Sequence, residues 1–229
     1  MTPGEAIAQA VEARVGRGPL VVAVSGSVAV GKTSAVRETV ATLTAAGVDA
    51  VSLCTDGFLF PNAELDARGL TTRKGFPDSY DVNALRAAVE VVRSGRVVTL
   101  PLYSHVVYDV VGSLQLEPAR VTMIDGLHLG TFVGDLVDLV VHLDADHEVI
   151  AQWYVARLMA LFVDAESDEQ SFYRWAVSMT TDERLTMARW FWDEINLPNL
   201  VEHIDPARER ADLIVRLAAD HSVIETLQA

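Results

Sequence analysis

The stretch Gly26-Ser27-Val28-Ala29-Val30-Gly31-Lys32-Thr33 has the spacing G-x-x-x-x-G-K-[ST], and Ser34 follows it. These residue types at this spacing hold polyphosphate. The two glycines let the backbone curl until its N–H groups converge on phosphate oxygens, and a helix starting there adds the positive potential of its N-terminus. Lys32 is placed to reach the β- and γ-phosphates and the Thr33 hydroxyl to hold Mg²⁺. The expected ligands are therefore ATP and Mg²⁺, with Gly26 through Ser34 as the cradle.

Two carboxylates could complete phosphoryl chemistry. Asp125 ends the apolar run Val121-Thr122-Met123-Ile124. An acid at the tip of a buried strand ligates the metal or polarises a water bound to it, although an Asp there can also cap the next segment. Asp56 stands in Cys54-Thr55-Asp56-Gly57-Phe58. Transfer to an alcohol needs a carboxylate that orients the hydroxyl and accepts its proton. Asp56 suits that role or an ordinary turn, and spacing alone leaves both open.

Charge usage narrows the partners. The chain has 229 residues and a net charge of −14, which argues against a nucleic-acid backbone or an anionic membrane surface. Of 18 basic residues, only Lys32 and Lys74 are lysines. A chain that otherwise uses arginine yet keeps a lysine at the phosphate position needs an ammonium there. Local positive charge is expected from the phosphate loop, Arg37, Arg157 and the Arg208–Arg210 pair. The single cysteine, Cys54, fits a reducing cytoplasm. No uncharged run approaches the length of a membrane span, and Met1–Glu5 lacks the features of a secretory signal.

The elements that must position these residues follow from periodicity. Helices are expected at 3–15, 32–46, 82–94, 147–161, 171–178, 181–194 and 206–227. Strands are expected at 20–25, 50–54, 121–124 and 136–143, with 97–102 a strand or extended segment and 57–80 irregular. Strands alternating with helices behind a phosphate loop imply one α/β domain over 1–229, a three-layer P-loop kinase fold. Its parallel sheet is flanked by helices, with a helical lid and acceptor-binding region at about 147–200. Ligands of such a sheet lie at the carboxyl ends of its strands, where Asp56 and Asp125 fall.

The phosphate loop, Thr55-Asp56-Gly57-Phe58-Leu59-Phe60-Pro61-Asn62, Lys74-Gly75-Phe76-Pro77-Asp78-Ser79-Tyr80-Asp81, Tyr103-Ser104-His105-Val106-Val107-Tyr108-Asp109 and Asp193-Glu194-Ile195-Asn196-Leu197 together resemble the type I bacterial pantothenate kinases. The match runs in order from about residue 20 to about 225. It implies that Asp56 is the catalytic base and Lys32 the phosphate lysine. It implies that Tyr103, His105, Tyr154 and Asn196 contact pantothenate or an inhibitory coenzyme A, with Lys74 on the substrate side. Arg37 matches an arginine associated with that inhibitor. Arg157 matches a lid arginine that stabilises charge on the transferring group. His221 matches a nucleotide-site histidine. Trp153 is expected to pack in the core, and the assembly is expected to be a homodimer.

The chain departs from the family's pattern at several positions. Only twenty-five residues precede Gly26, where the family has a helical extension reaching the adenine site. Asp125 and His128 replace the Glu and Asn of Glu-Gly-Leu-Asn. Leu158 and Leu161 replace two phenylalanines, and Leu217 replaces a lysine. These changes lead to the expectation of an acceptor other than pantothenate, for instance a nucleoside-type antibiotic. A housekeeping pantothenate kinase and a regulatory paralogue are the alternatives. A GTP-dependent switch is disfavoured, because no Asn-Lys-x-Asp run is present.

Overall fold

A computed structural model describes residues 1–16 and 18–228. The elements in chain order are α1 (Pro3–Glu12), β1 (Leu20–Gly26), α2 (Lys32–Ala45), β2 (Ala50–Cys54), α3 (Asn62–Ala67), α4 (Val82–Arg93), β3 (Val98–Ser104) and β4 (Asp109–Leu116). They continue with β5 (Val121–Asp125), α5 (Leu129–Phe132), β6 (Leu139–Asp144), α6 (His147–Asp164), α7 (Thr181–Phe191), α8 (Leu197–Asn199), β7 (Leu213–Leu217) and β8 (Val223–Gln228).

Six strands form one sheet in the order β2-β5-β1-β6-β7-β8. All its pairings are parallel except β7 with β8. The run Leu20–Gly26 is buried along its whole length, as a central parallel strand covered on both faces must be. One core layer joins Val22, Val24, Leu43, Met123 and Val141 with α1 and α2. The opposite layer joins Val21, Ala23 and Ile124 with Leu85 and Val89 of α4. The fold class is therefore mixed α/β with a central parallel sheet between helices. The tips of β2, β5 and β1 are neighbours, and this adjacency brings Asp56, Asp125 and the phosphate loop together.

Helix starts follow local chemistry. At α1 the Thr2 hydroxyl accepts from Glu5 N at 3.1 Å and the Glu5 carboxylate accepts from Thr2 N at 2.8 Å, with Pro3 in the first turn. The same reciprocal cap opens α7 through Thr180 and Glu183.

The C-terminal expectation is wrong: 206–227 is not a helix. It holds a 3₁₀ turn at Asp205–Arg210 and then the β7–β8 hairpin. Leu213, Val215 and Leu217 are buried while Ile214 and Arg216 are only half-buried, a period of two that a short run hides. Strand β4 was also not expected. It pairs with β3 in a separate antiparallel ribbon, mostly exposed, so burial left little pattern to read. The irregular segment 57–80 contains α3 and short 3₁₀ turns.

The helical segment from α6 to α8 has a small core of its own, built from Leu158, Phe162, Ala176 and Ala188. Two π-helical turns, Trp192–Asn196 and Leu200–Ile204, flank α8. Pro198 accounts for the break, because it lacks an N–H and its ring crowds the carbonyl four residues back. Among the described residues no helix is long and apolar enough to cross a membrane.

Candidate active site

The phosphate loop joins β1 to α2. Gly26 has φ +143°, and a Cβ there would stand 2.5 Å from the Leu143 carbonyl oxygen of β6. Only glycine lets the loop leave the sheet that closely. Gly31 starts α2 in the left-handed region, and Lys32 follows. Lys32 is half-buried, and its ammonium donates to the Ser27 carbonyl at 2.7 Å. Burial lowers its pKa to about 8, and the nearby Asp125 and Asp56 carboxylates oppose that shift.

Asp125, only 3% exposed, accepts from the Thr33 hydroxyl at 2.5 Å. Burial raises its pKa, with the Thr33 hydrogen bond and Lys32 pulling the other way. The Asp that stands where the resemblance leads to a Glu therefore still reaches Thr33. A hydroxyl and a carboxylate are hard oxygen donors, and this set suits Mg²⁺.

One cleft brings Lys32, Thr33, Asp56, Lys74, Tyr103, His105, Asp125, Arg157 and Asn196 together. Asp56 lies in a 3₁₀ turn just beyond β2, and His105 Nε2 is 3.7 Å from its Oδ2. Tyr103 and His105 sit at the end of β3, with their rings edge to face at 5.1 Å. Lys74 donates to Asn62 Oδ1 at 2.6 Å and to the Tyr108 carbonyl. Its ammonium stands 4.3 Å from the Tyr108 ring centroid and 5.0 Å from that of Tyr103. Burial lowers its pKa to about 8, opposed by Asp109 and Asp56.

Beyond Lys74 the cleft widens into an apolar cavity. Tyr154, Asn196, Tyr108, Phe172, Trp175, Trp190 and Phe191 line it, together with Leu158 and Leu161. Burial raises the Tyr154 phenol well above the usual tyrosine range, and a hydrogen bond with Asn196 pulls it back. The Asn196 amide also donates to the Phe191 carbonyl at 2.8 Å.

The cavity bears on the argument from the two missing phenylalanines. Leu158 is buried in the small helical core, and other rings line the wall. The aromatic surface thought lost is therefore present, supplied by different residues. Tyr108, Phe172, Trp175 and Phe191 went unnoticed as wall residues. Tyr108 adopts φ +56°, a left-handed conformation that composition does not announce.

A second cleft, beside the phosphate loop, holds Ser34, Arg37, Glu38, Asp220 and His221. Arg37, expected at the substrate side or at the inhibitor, lies four residues along the helix from Thr33, exposed, in this second cleft and not in the apolar cavity. His221 caps the β7–β8 turn at φ +61° and stacks on Trp153 at 3.9 Å. Trp153 packs against the main core as expected and also donates to the Ala219 carbonyl at 3.0 Å, so it braces the hairpin as well. Arg157 lines both clefts. Arg208 and Arg210 lie apart from them: Arg208 pairs with Asp144 at 3.1 Å, and Arg210 lines a separate surface groove near His203.

A phosphate loop facing a strand-tip carboxylate, with a second carboxylate beside an apolar cavity, defines a P-loop kinase for small molecules. The family model for the phosphoribulokinase / uridine kinase family matches residues 21–161. A pantothenate kinase of Mycolicibacterium smegmatis is 41% identical over 217 residues, covering 90% of this chain and 69% of that protein. A pantothenate kinase of Streptococcus thermophilus is 36% identical, covering 90% and 71%. In fold the chain resembles a D-glycerate 3-kinase from Cryptococcus neoformans, with a TM-score of 0.68 and 12% identity over 99% of this chain and 97% of the other. The chain belongs to the phosphoribulokinase / uridine kinase family and, within it, to the type I pantothenate kinases.

Proposed function

We propose that the chain transfers the γ-phosphoryl group of ATP to a hydroxyl of pantothenate. The observation that carries this reading is the continuity of one cleft from Lys32 and Thr33, past Asp56, to Lys74 and Asn196. An acceptor hydroxyl at Asp56 then meets the phosphate end of ATP held by the loop. Asp56 orients that hydroxyl and takes its proton, while Lys32 and Arg157 balance charge on the transferring group. Lys74 suits the acceptor's carboxylate, and Tyr154 with Asn196 its amide and hydroxyls. Thr33 and Asp125 would hold Mg²⁺, which when bound neutralises charge on the β- and γ-phosphates.

The named relatives and the aromatic wall favour pantothenate over a diverged acceptor, and no feature of the cavity singles out a nucleoside antibiotic. Steady-state kinetics decide the matter. Pantothenate should support acceptor-dependent ADP release that chelator abolishes and Mg²⁺ restores. ADP release that ignores pantothenate but responds to another alcohol would sink the reading.

The acceptor affinity should also depend on pH. Below about 8 the Lys74 side chain is an ammonium and attracts a carboxylate. As pH rises through that value the charge and the attraction are lost. The KM for pantothenate should therefore climb above pH 8, and the climb should disappear in Lys74→Met.

A further inference from the structure

The backbone just after Lys74 is gripped by side chains outside the cleft's charged groups. The carbonyl of Gly75, the next residue, accepts two hydrogen bonds from distant parts of the chain. His128 Nε2 donates at 2.8 Å from the loop after β5, and Asn199 Nδ2 donates at 2.9 Å from α8. Both side chains are buried, at 2% and 5% exposure. On the N-terminal side of the same residue, in the peptide unit that joins it to Lys74, Gly75 N donates to Ser79 Oγ at 3.0 Å. Gly75 holds φ +95° within this grip.

The three segments that meet at this carbonyl each carry a residue of the site. His128 is three residues beyond Asp125. Asn199 is three residues beyond Asn196. Gly75 follows Lys74. We propose that His128 and Asn199 are positioning residues, which hold the Gly75 carbonyl so that the Lys74 ammonium points into the acceptor cavity. The acceptor role of Lys74 rests on the function proposed above.

The local chemistry fits a fixed donor. A carbonyl only accepts, so Nε2 must carry the proton and Nδ1 is bare. That Nδ1 atom, like Asn199 Oδ1, is buried without a hydrogen-bond partner among the described residues. Two unsatisfied atoms are a cost for core packing alone, and an apolar pair would avoid it. Burial pushes the His128 pKa down to about 4, so the ring stays neutral and keeps its single donor through the physiological range. Its neighbours Tyr80, Phe132 and His203 have ring centroids at 6.0, 5.3 and 6.3 Å. A phenylalanine fits that setting, so the donor can be removed with the packing kept.

The experiment compares His128→Phe, His128→Gln and Asn199→Leu. Loss of one hydrogen bond of this kind corresponds to about a three- to tenfold change. His128→Phe and Asn199→Leu should each raise the pantothenate KM by that factor, with the KM for ATP within twofold. His128→Gln, whose amide reaches the position of Nε2, should restore it. In a Lys74→Ala background, His128→Phe should add less than twofold.

A second readout needs no acceptor. Lys32 and Lys74 are the only lysines in the sequence, so trace acetylation across a pH series, read by mass spectrometry, reports each one separately. In His128→Phe the titration of Lys74 should move up from about 8 toward the ordinary lysine range, with Lys32 unmoved. An unchanged Lys74 titration overturns the proposal. So does an acceptor effect that persists in full without Lys74, or equal rises in both KM values. If pantothenate is not phosphorylated at all, the acceptor reading fails, and the acetylation series still decides the positioning role.

Discussion

Asp56→Asn should bind ATP as the parent does and lose phosphoryl transfer by roughly a hundredfold or more, the scale of a missing general base. The reason lies in where Asp56 sits. It lies in a 3₁₀ turn beyond β2, in the cleft it shares with Lys32 and Lys74, and it is not itself part of the phosphate loop. Asparagine keeps the shape and still orients a hydroxyl, but it cannot take the proton. The loss should therefore fall on kcat, with both KM values little changed. Single-turnover rates beside equilibrium ATP binding measure the two separately. Near-normal turnover in Asp56→Asn would remove the proposed base and leave His105, 3.7 Å away, as the next group to test.

Lys32→Ala should fail differently, with nucleotide affinity and rate falling together. Lys32 is half-buried at the start of α2, and its ammonium offsets the nearby carboxylates of Asp125 and Asp56. Removing it leaves the phosphates one cation short and takes from the two acids a nearby counter-charge. A missing donor to developing charge costs roughly a hundred- to a thousandfold in rate. ATP titration followed by calorimetry, together with kcat, checks both parts. A variant that loses only affinity would mean that Lys32 binds the ground state and the transferring group equally.

These two results are separable because the phosphate machinery was legible before the structure. The motif Gly26–Thr33, the apolar strand behind it and the Asp125 strand tip all follow from local rules, and the sheet order makes them neighbours. The acceptor side was less legible. Lys74, Tyr103, His105, Tyr154 and Asn196 were named through resemblance and not through periodicity. The apolar wall was missed because Phe172, Trp175 and Phe191 come from segments separated in sequence and converge only through packing. The C-terminal hairpin was missed for another reason. Its alternation runs only from Leu213 to Leu217, and the turn depends on His221 at positive φ, which few residue types announce. Asn199 had a faint signal, its offset of three from Asn196, but the π-helical turns and Pro198 remove the regular spacing that would have made it readable.

The separate core under the acceptor wall bears on how such an enzyme changes over time. Leu158, Phe162, Ala176 and Ala188 pack mainly with one another and with Leu161, Tyr173 and Phe191. The buried residues of the two layers around the sheet are all others, and among the described residues Tyr154 is the one partly buried side chain that packs against both this core and a sheet layer. Substitutions at sites that share no partners have nearly additive effects. A change of ring to leucine in the small core is thus absorbed by the wall and barely felt at the strand tips. Selection can reshape what the cavity admits while the machinery that moves phosphate keeps its stability. The leucines at 158 and 161 then read as drift on an evolvable wall, with the chemistry beside it held constant.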